Sequence, residues 1–99
     1  MKWDAVITDV CREITEKFKP QAIYIFQNKR DLAGRTTSFK LCVVVRQDAA
    51  RCEHDIYLQV ECPVPFDVLC YTSEDFAEKS AQSHTFASRI AQTGEVFHG

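Results

Sequence analysis

The sequence predicts an α/β (α+β) domain in which a small sheet is flanked by helices, and three observations carry that prediction. Val6, Val10, Ile14 and Phe18 recur at every fourth position, the stripe of an amphipathic helix. Ala22–Phe26 and Phe39–Val45 are continuous apolar runs rich in β-branched and aromatic residues, too short for helices and suited to central strands covered on both faces. The chain has 99 residues, 45% of them hydrophobic and 26% charged, which supplies one core and leaves no room for a second, so residues 1–99 are read as one domain.

Each element then follows in order. The first helix occupies residues 4–19 and must stop before Pro20. The strand at 22–26 comes next, followed by the polar stretch from Gln27 to Thr37. That stretch is too unpatterned for a helix and too long for a tight hairpin, so it is expected to be a loop of the kind that carries function. Phe39 to Val45 is the second strand. Between Asp48 and Glu61, Cys52, Ile56 and Val60 lie four apart and predict a second helix ending near Cys62-Pro63. A third strand spans residues 65–71, opening on a proline where a missing N–H is tolerated. Thr72 supplies a hydroxyl cap for a further helix with Glu74 and Asp75 in its first turn. The last helix is expected over about 85–92, with Phe86 and Ile90 on one face and a stop near Gly94, and residues 95–97 are expected to form a short edge strand.

Composition narrows the function classes. A formal net charge of −2 provides no general cationic field, so broad nucleic-acid binding is not expected and any phosphate recognition must be local. The 5 cysteines form no C-x-x-C pair, and His54, His84 and His98 are scattered, so reduced, largely buried thiols are expected and a zinc site is not. No apolar run approaches about 18 residues, which leads to the expectation of a cytoplasmic protein without a membrane segment. His54 with Asp55, and Ser83 with His84, show no third partner for a hydrolase triad, and neighbours on a helix do not face each other. Tyr24, Tyr57 and Tyr71 are read as core or rim residues, and Trp3 as packing the start of the first helix against the sheet.

The order helix, strand, polar stretch, strand, helix, strand, helix, helix resembles the minimal nucleotidyltransferase domain, the small bacterial and archaeal branch of the DNA polymerase beta-like superfamily. The resemblance spans nearly the whole chain and is most specific in Val64–Phe76, in Phe86-Ala87-Ser88-Arg89-Ile90 and in the closing Gly94-Glu95-Val96-Phe97. It implies a nucleotidyltransferase-like fold with a small mixed sheet. The family signature is a hydrophobic residue, Gly, then Gly or Ser, a gap, and Asp-hydrophobic-Asp/Glu-hydrophobic on the next strand. Here Phe26 fills the first place, Gln27 and Asn28 replace the glycine pair, Lys29 to Thr37 fill the gap, and Ser38-Phe39-Lys40-Leu41 stands where the acids belong. A third acidic position corresponds to Asp67.

These replacements remove the chemistry that the resemblance implies. Nucleotidyl transfer uses paired magnesium ions held by carboxylates beside the substrate phosphates. Ser38 is a weak neutral ligand and Lys40 brings a cation, and like charges about 4 Å apart repel by about 4 kcal/mol at a near-surface dielectric. No catalytic residue, metal or cofactor is therefore expected, with Gln27, Asn28, Ser38 and Lys40 as degenerate positions and Asp67 as a remnant. Asn28, Lys29, Arg30, Arg35 and Lys40 are the candidates for binding a nucleotide or another anion, or for solvating a loop alongside Asp31.

The leading expectation is a pseudoenzyme that works by binding, either to a partner protein in antitoxin-like fashion or to a nucleotide or phosphate anion. Relatives suggested by the resemblance pair with small helical HEPN-type proteins. The alternative is an active transferase using magnesium and a relocated acid set of Asp31, Glu61 and Asp67. A third expectation is a homo-oligomer that pairs its sheet edge near residues 95–97 between chains.

Overall fold

The computed structural model describes residues 3–98. Helix α1 (Ala5–Phe18) leads into a hairpin of β1 (Ala22–Arg30) and β2 (Thr36–Val45), then α2 (Ala49–Gln59), β3 (Phe66–Thr72), α3 (Ser73–Ser80), α4 (Phe86–Thr93) and β4 (Glu95–His98). The four strands form one mixed sheet in the order β3-β2-β1-β4. β1 runs antiparallel to both β2 and β4, and β2 runs parallel to β3, with α2 as the crossover. The apolar runs at 22–26 and 39–45 are the two central strands, and residues 95–98 form an edge, as their patterning predicted.

Strand alternation divides the core between the two faces of the sheet. On one face Ile23, Ile25, Phe39, Leu41, Val43, Val45 and Val68 pack under Ile7, Val10, Cys11 and Ile14 of α1 and Ile56 and Val60 at α2. On the other, Cys42 and Val44 meet Phe76 of α3 and Ala87 and Ile90 of α4, with Tyr24, Phe26, Leu69 and Tyr71 partly buried around them. Helix α1 ends with Lys19 in the left-handed region (φ 52°), its N–H bonded to the Thr15 carbonyl at 3.1 Å, immediately before Pro20. Thr72 and Thr85 cap α3 and α4, accepting the N–H of Asp75 and Ser88, both at 3.1 Å. Gly94 closes α4 for reasons of space: its φ is −69°, and an added Cβ would lie 2.6 Å from the Ile90 carbonyl oxygen.

One expectation is corrected. Residues 27–37 are mostly strand, because β1 continues to Arg30 and β2 begins at Thr36, leaving a turn of only five residues, 31–35. Asp31 builds that turn: its Oδ1 accepts the N–H groups of Ala33 and Arg35, each at 2.9 Å, and Gly34 takes φ 83°. The segment carries strand structure because it pairs with β2, a long-range contact that local hydropathy does not reveal. Gln27 and Asn28 consequently lie in a strand and cannot cradle a phosphate as a glycine turn does.

Candidate binding site

The outer half of the hairpin runs past the helices that cover the inner half. Across the sheet, Asp67 of β3 lies beside Lys40 of β2, which pairs with Gln27 of β1, and one step outward Ser38 pairs with Lys29. Neighbouring strands stand about 4.8 Å apart and paired side chains share a face. These five residues therefore form a polar patch continuous with the face that α3 and α4 cover further along. They line a small cleft of about 70 Å³ together with Phe39, Pro65 and Phe66. Lys40, Ser38 and Gln27 are half-buried, and Lys29 and Asp67 are exposed. Of the residues singled out by sequence, the patch unites Gln27, Lys29, Ser38, Lys40 and Asp67.

The rest of the predicted anion set lies elsewhere. Asn28 pairs with Phe39, on the face that α1 covers, and its Oδ1 accepts a hydrogen bond from the Thr36 hydroxyl at 3.0 Å. The Thr36 N–H donates to the Asp4 carboxylate at 2.6 Å, which ties the start of α1 to the start of β2. Hydrogen bonds from the Thr36 backbone and side chain, with the nearby Arg30 charge, hold the Asp4 carboxyl below its usual range. Arg35 sits in the turn, so the proposed five-residue cluster of Asn28, Lys29, Arg30, Arg35 and Lys40 is distributed over two faces and a tip. Asp31, expected to offset these cations, spends its Oδ1 on backbone N–H groups. Residues 27–40 hold four basic side chains against one acidic, on a chain whose net charge is −2. Leu32 is fully exposed at the tip.

The donor set does not fit magnesium. One carboxylate, one hydroxyl, one carboxamide and two ammonium groups share the patch, whereas magnesium takes hard anionic oxygens in octahedral geometry. Among the described residues no three His, Cys, Asp or Glu side chains converge into a metal-holding group. Asp31 sits in the hairpin turn, where its Oδ1 accepts two backbone N–H groups, and Glu61 follows the end of α2.

Two features went unread in the sequence. The Tyr57 hydroxyl accepts the Val68 N–H at 2.7 Å and donates to the Val68 carbonyl at 3.3 Å, and Glu53 Oε1 accepts the Cys70 N–H at 3.0 Å. α2 thus seals the outer edge of β3. The only available signal was the spacing of Glu53 and Tyr57, one helical turn apart. The second is a cleft of about 290 Å³ beyond the C-terminal end of β2, lined by Lys19, Arg46, Arg51, Asp48, Cys52 and Asp55 among others. Its cations are offset by its acids, and Arg51 lies 3.8 Å from Asp55. No known family, curated protein or solved structure matches the chain in sequence or fold comparison. No helix among the described residues is long and apolar enough to cross a membrane.

Proposed function

We propose that this chain is a nucleotidyltransferase-like domain that has lost metal-dependent transfer and acts by binding an acidic surface on a partner protein through its β1–β2 hairpin. The observation that carries this reading is the pairing of Lys40 with Asp67 in register on adjacent strands, with Ser38 beside them. A cation there stands across from the one remaining carboxylate, and a site organised this way disfavours the divalent ions that transfer needs. The basic outer hairpin, with an exposed leucine at its tip, combines electrostatic steering with an apolar anchor, both suited to protein recognition. Size argues against a nucleotide in the Lys40–Asp67 cleft, whose 70 Å³ is well below the roughly 300–1,000 Å³ of small-molecule sites, whereas the cleft of about 370 Å³ lined by Gln27, Asn28 and Arg30 holds Arg30 alone of the candidate cations and not the Lys40–Asp67 pair. The partner implied by the sequence resemblance is a small helical HEPN-type protein, in an antitoxin-like pairing.

The test has two arms. Incubation with labelled nucleoside triphosphates and magnesium is expected to transfer nothing to protein or RNA, and nucleotides are expected to leave the melting temperature unchanged. Titration with an acidic helical protein should give salt-sensitive binding that Lys29→Glu with Arg35→Glu abolishes. Transfer that disappears in Asp67→Ala would overturn the reading and restore the relocated-acid alternative.

A further inference from the structure

Helix α2 is docked along β3 so that it brings two thiols together. Tyr57 and Glu53, one helical turn apart, engage Val68 and Cys70, two residues apart on the strand. The match is metric: four helical residues rise about 6 Å and two strand residues about 6.6 Å. Glu53 Oε1 holds the Cys70 N–H at 3.0 Å, so Cys52, the adjacent residue on the helix, lies near Cys70, close enough for each thiol to perturb the titration of the other. Both pack against the core cluster beneath α1 and α2. Cys52 also lines the 290 Å³ cleft between the end of α1 and the start of α2, which gives it a route to solutes.

We propose that Cys52 and Cys70 are a modification site that closes into a disulfide by exchange with a small disulfide such as glutathione disulfide. The Cys52 thiolate attacks one glutathione sulfur, forming a mixed disulfide and expelling a glutathione thiolate that takes up a proton. The Cys70 thiolate then attacks the Cys52 sulfur and releases the second glutathione. Two protein thiols are oxidised, and one glutathione disulfide is reduced to two thiols. Burial raises the pKa of both thiols, so little thiolate exists near neutral pH and closure quickens as pH rises. The same basicity makes each sulfur a poor leaving group, so the closed form resists reduction. Once formed, the bond fastens α2 to the edge strand that it already seals.

The experiment uses the full chain in a Cys62→Ser background, which removes the remaining partly exposed thiol. After incubation with glutathione disulfide at mildly alkaline pH, intact mass should fall by two hydrogens with no glutathione retained, and a non-reducing digest should join the peptides holding residues 52 and 70. Cys70→Ala, checked for folding by circular dichroism, should instead retain one glutathione on Cys52. Cys52→Ala should leave Cys70 unmodified over the same period. A cross-link mapped to any other pair, a stable glutathione adduct on Cys52 with Cys70 present, or a chain that stays fully reduced would each overturn the proposal.

Discussion

The β1–β2 hairpin contains two regions that obey different rules. Its inner half, Ile23, Ile25 and Leu41 to Val45, is buried on both faces between α1 and α2 on one side and α3 and α4 on the other. Its outer half keeps an apolar residue only on one face, at Phe39, whose ring stacks on Phe66 at 5.5 Å, while the other face carries Gln27, Lys29, Ser38 and Lys40. Two strands with continuous hydrogen bonding thus pass from a segment fixed by packing to one that packing leaves free. Polar chemistry is tolerated only in the second, because a buried charge without a partner costs several kcal/mol, on the order of an entire domain's margin of stability.

Adjacent residues in β2 give the sharpest contrast and the largest expected effect. Leu41 is 0% exposed within the inner core, so Leu41→Ala should cost about 2–5 kcal/mol in urea unfolding, through lost burial and the cavity left behind. Lys40→Ala, one position away on the half-buried patch, should change stability by no more than about 0.5 kcal/mol. A comparable loss for Lys40→Ala would mean that the polar row is structural, and the separation between the two halves would fail.

The two edges of the sheet sharpen the comparison further. β3 has its outward backbone groups met by Tyr57 and Glu53, whereas β4 is the opposite edge, with Val96 half-exposed. Tyr57→Phe keeps the ring against Phe66, 6.1 Å between centroids, and removes only the hydroxyl. The expected cost is about 1–2 kcal/mol for the hydrogen bonds lost at Val68, read as a shift in urea midpoint with unchanged m-value. Amide exchange at Val68 should rise in the same variant, and unchanged exchange would show that water replaces the hydroxyl without loss.

What was legible in the sequence follows the same division. The inner strands and every helix were readable because burial imposes periodicity: Ile56 and Val60 announce α2, and Thr72 announces the cap of α3, whereas Thr85, placed inside the last helix, proves to be its cap. The outer hairpin was not readable, since a half-exposed strand with Asn28, Lys29 and Arg30 has the composition of a loop and only pairing across the sheet reveals it. The same holds for the site. Ser38, Lys40 and Asp67 were picked out by their positions, and their adjacency depends on the parallel register of β2 and β3. Asn28 and Arg30 were grouped with Lys29 because sequence proximity hides alternation, which turns successive side chains to opposite faces.

Asp4 offers a smaller, pH-dependent test of how the outer half is anchored. Its folded pKa is lowered by the Thr36 hydrogen bonds and Arg30, so its ionised form favours the folded state. The contribution is complete above the ordinary carboxylate range and is lost as pH falls through the lowered folded value. Asp4→Asn should therefore lower the neutral plateau and leave the acid limb of the stability curve shallower than in the parent chain, with the two chains converging at the acid end. An unchanged acid limb would show that Thr36 is held by other contacts.

The smallest effect on stability should come from the residues on which the proposed partner recognition rests. Lys29 and Arg35 are exposed on the outer hairpin, so replacing both with alanine should alter the melting temperature by no more than a degree or two. Exposed ion pairs contribute about 0.2–1 kcal/mol each, so losing two should weaken binding to an acidic helical protein by roughly twofold to thirtyfold at low salt. That difference should shrink as ionic strength rises and the screening length falls to about 8 Å near 0.15 M. Equal binding by parent and variant across the salt series would remove the outer hairpin from recognition, and with it the functional distinction between the two halves of β1 and β2.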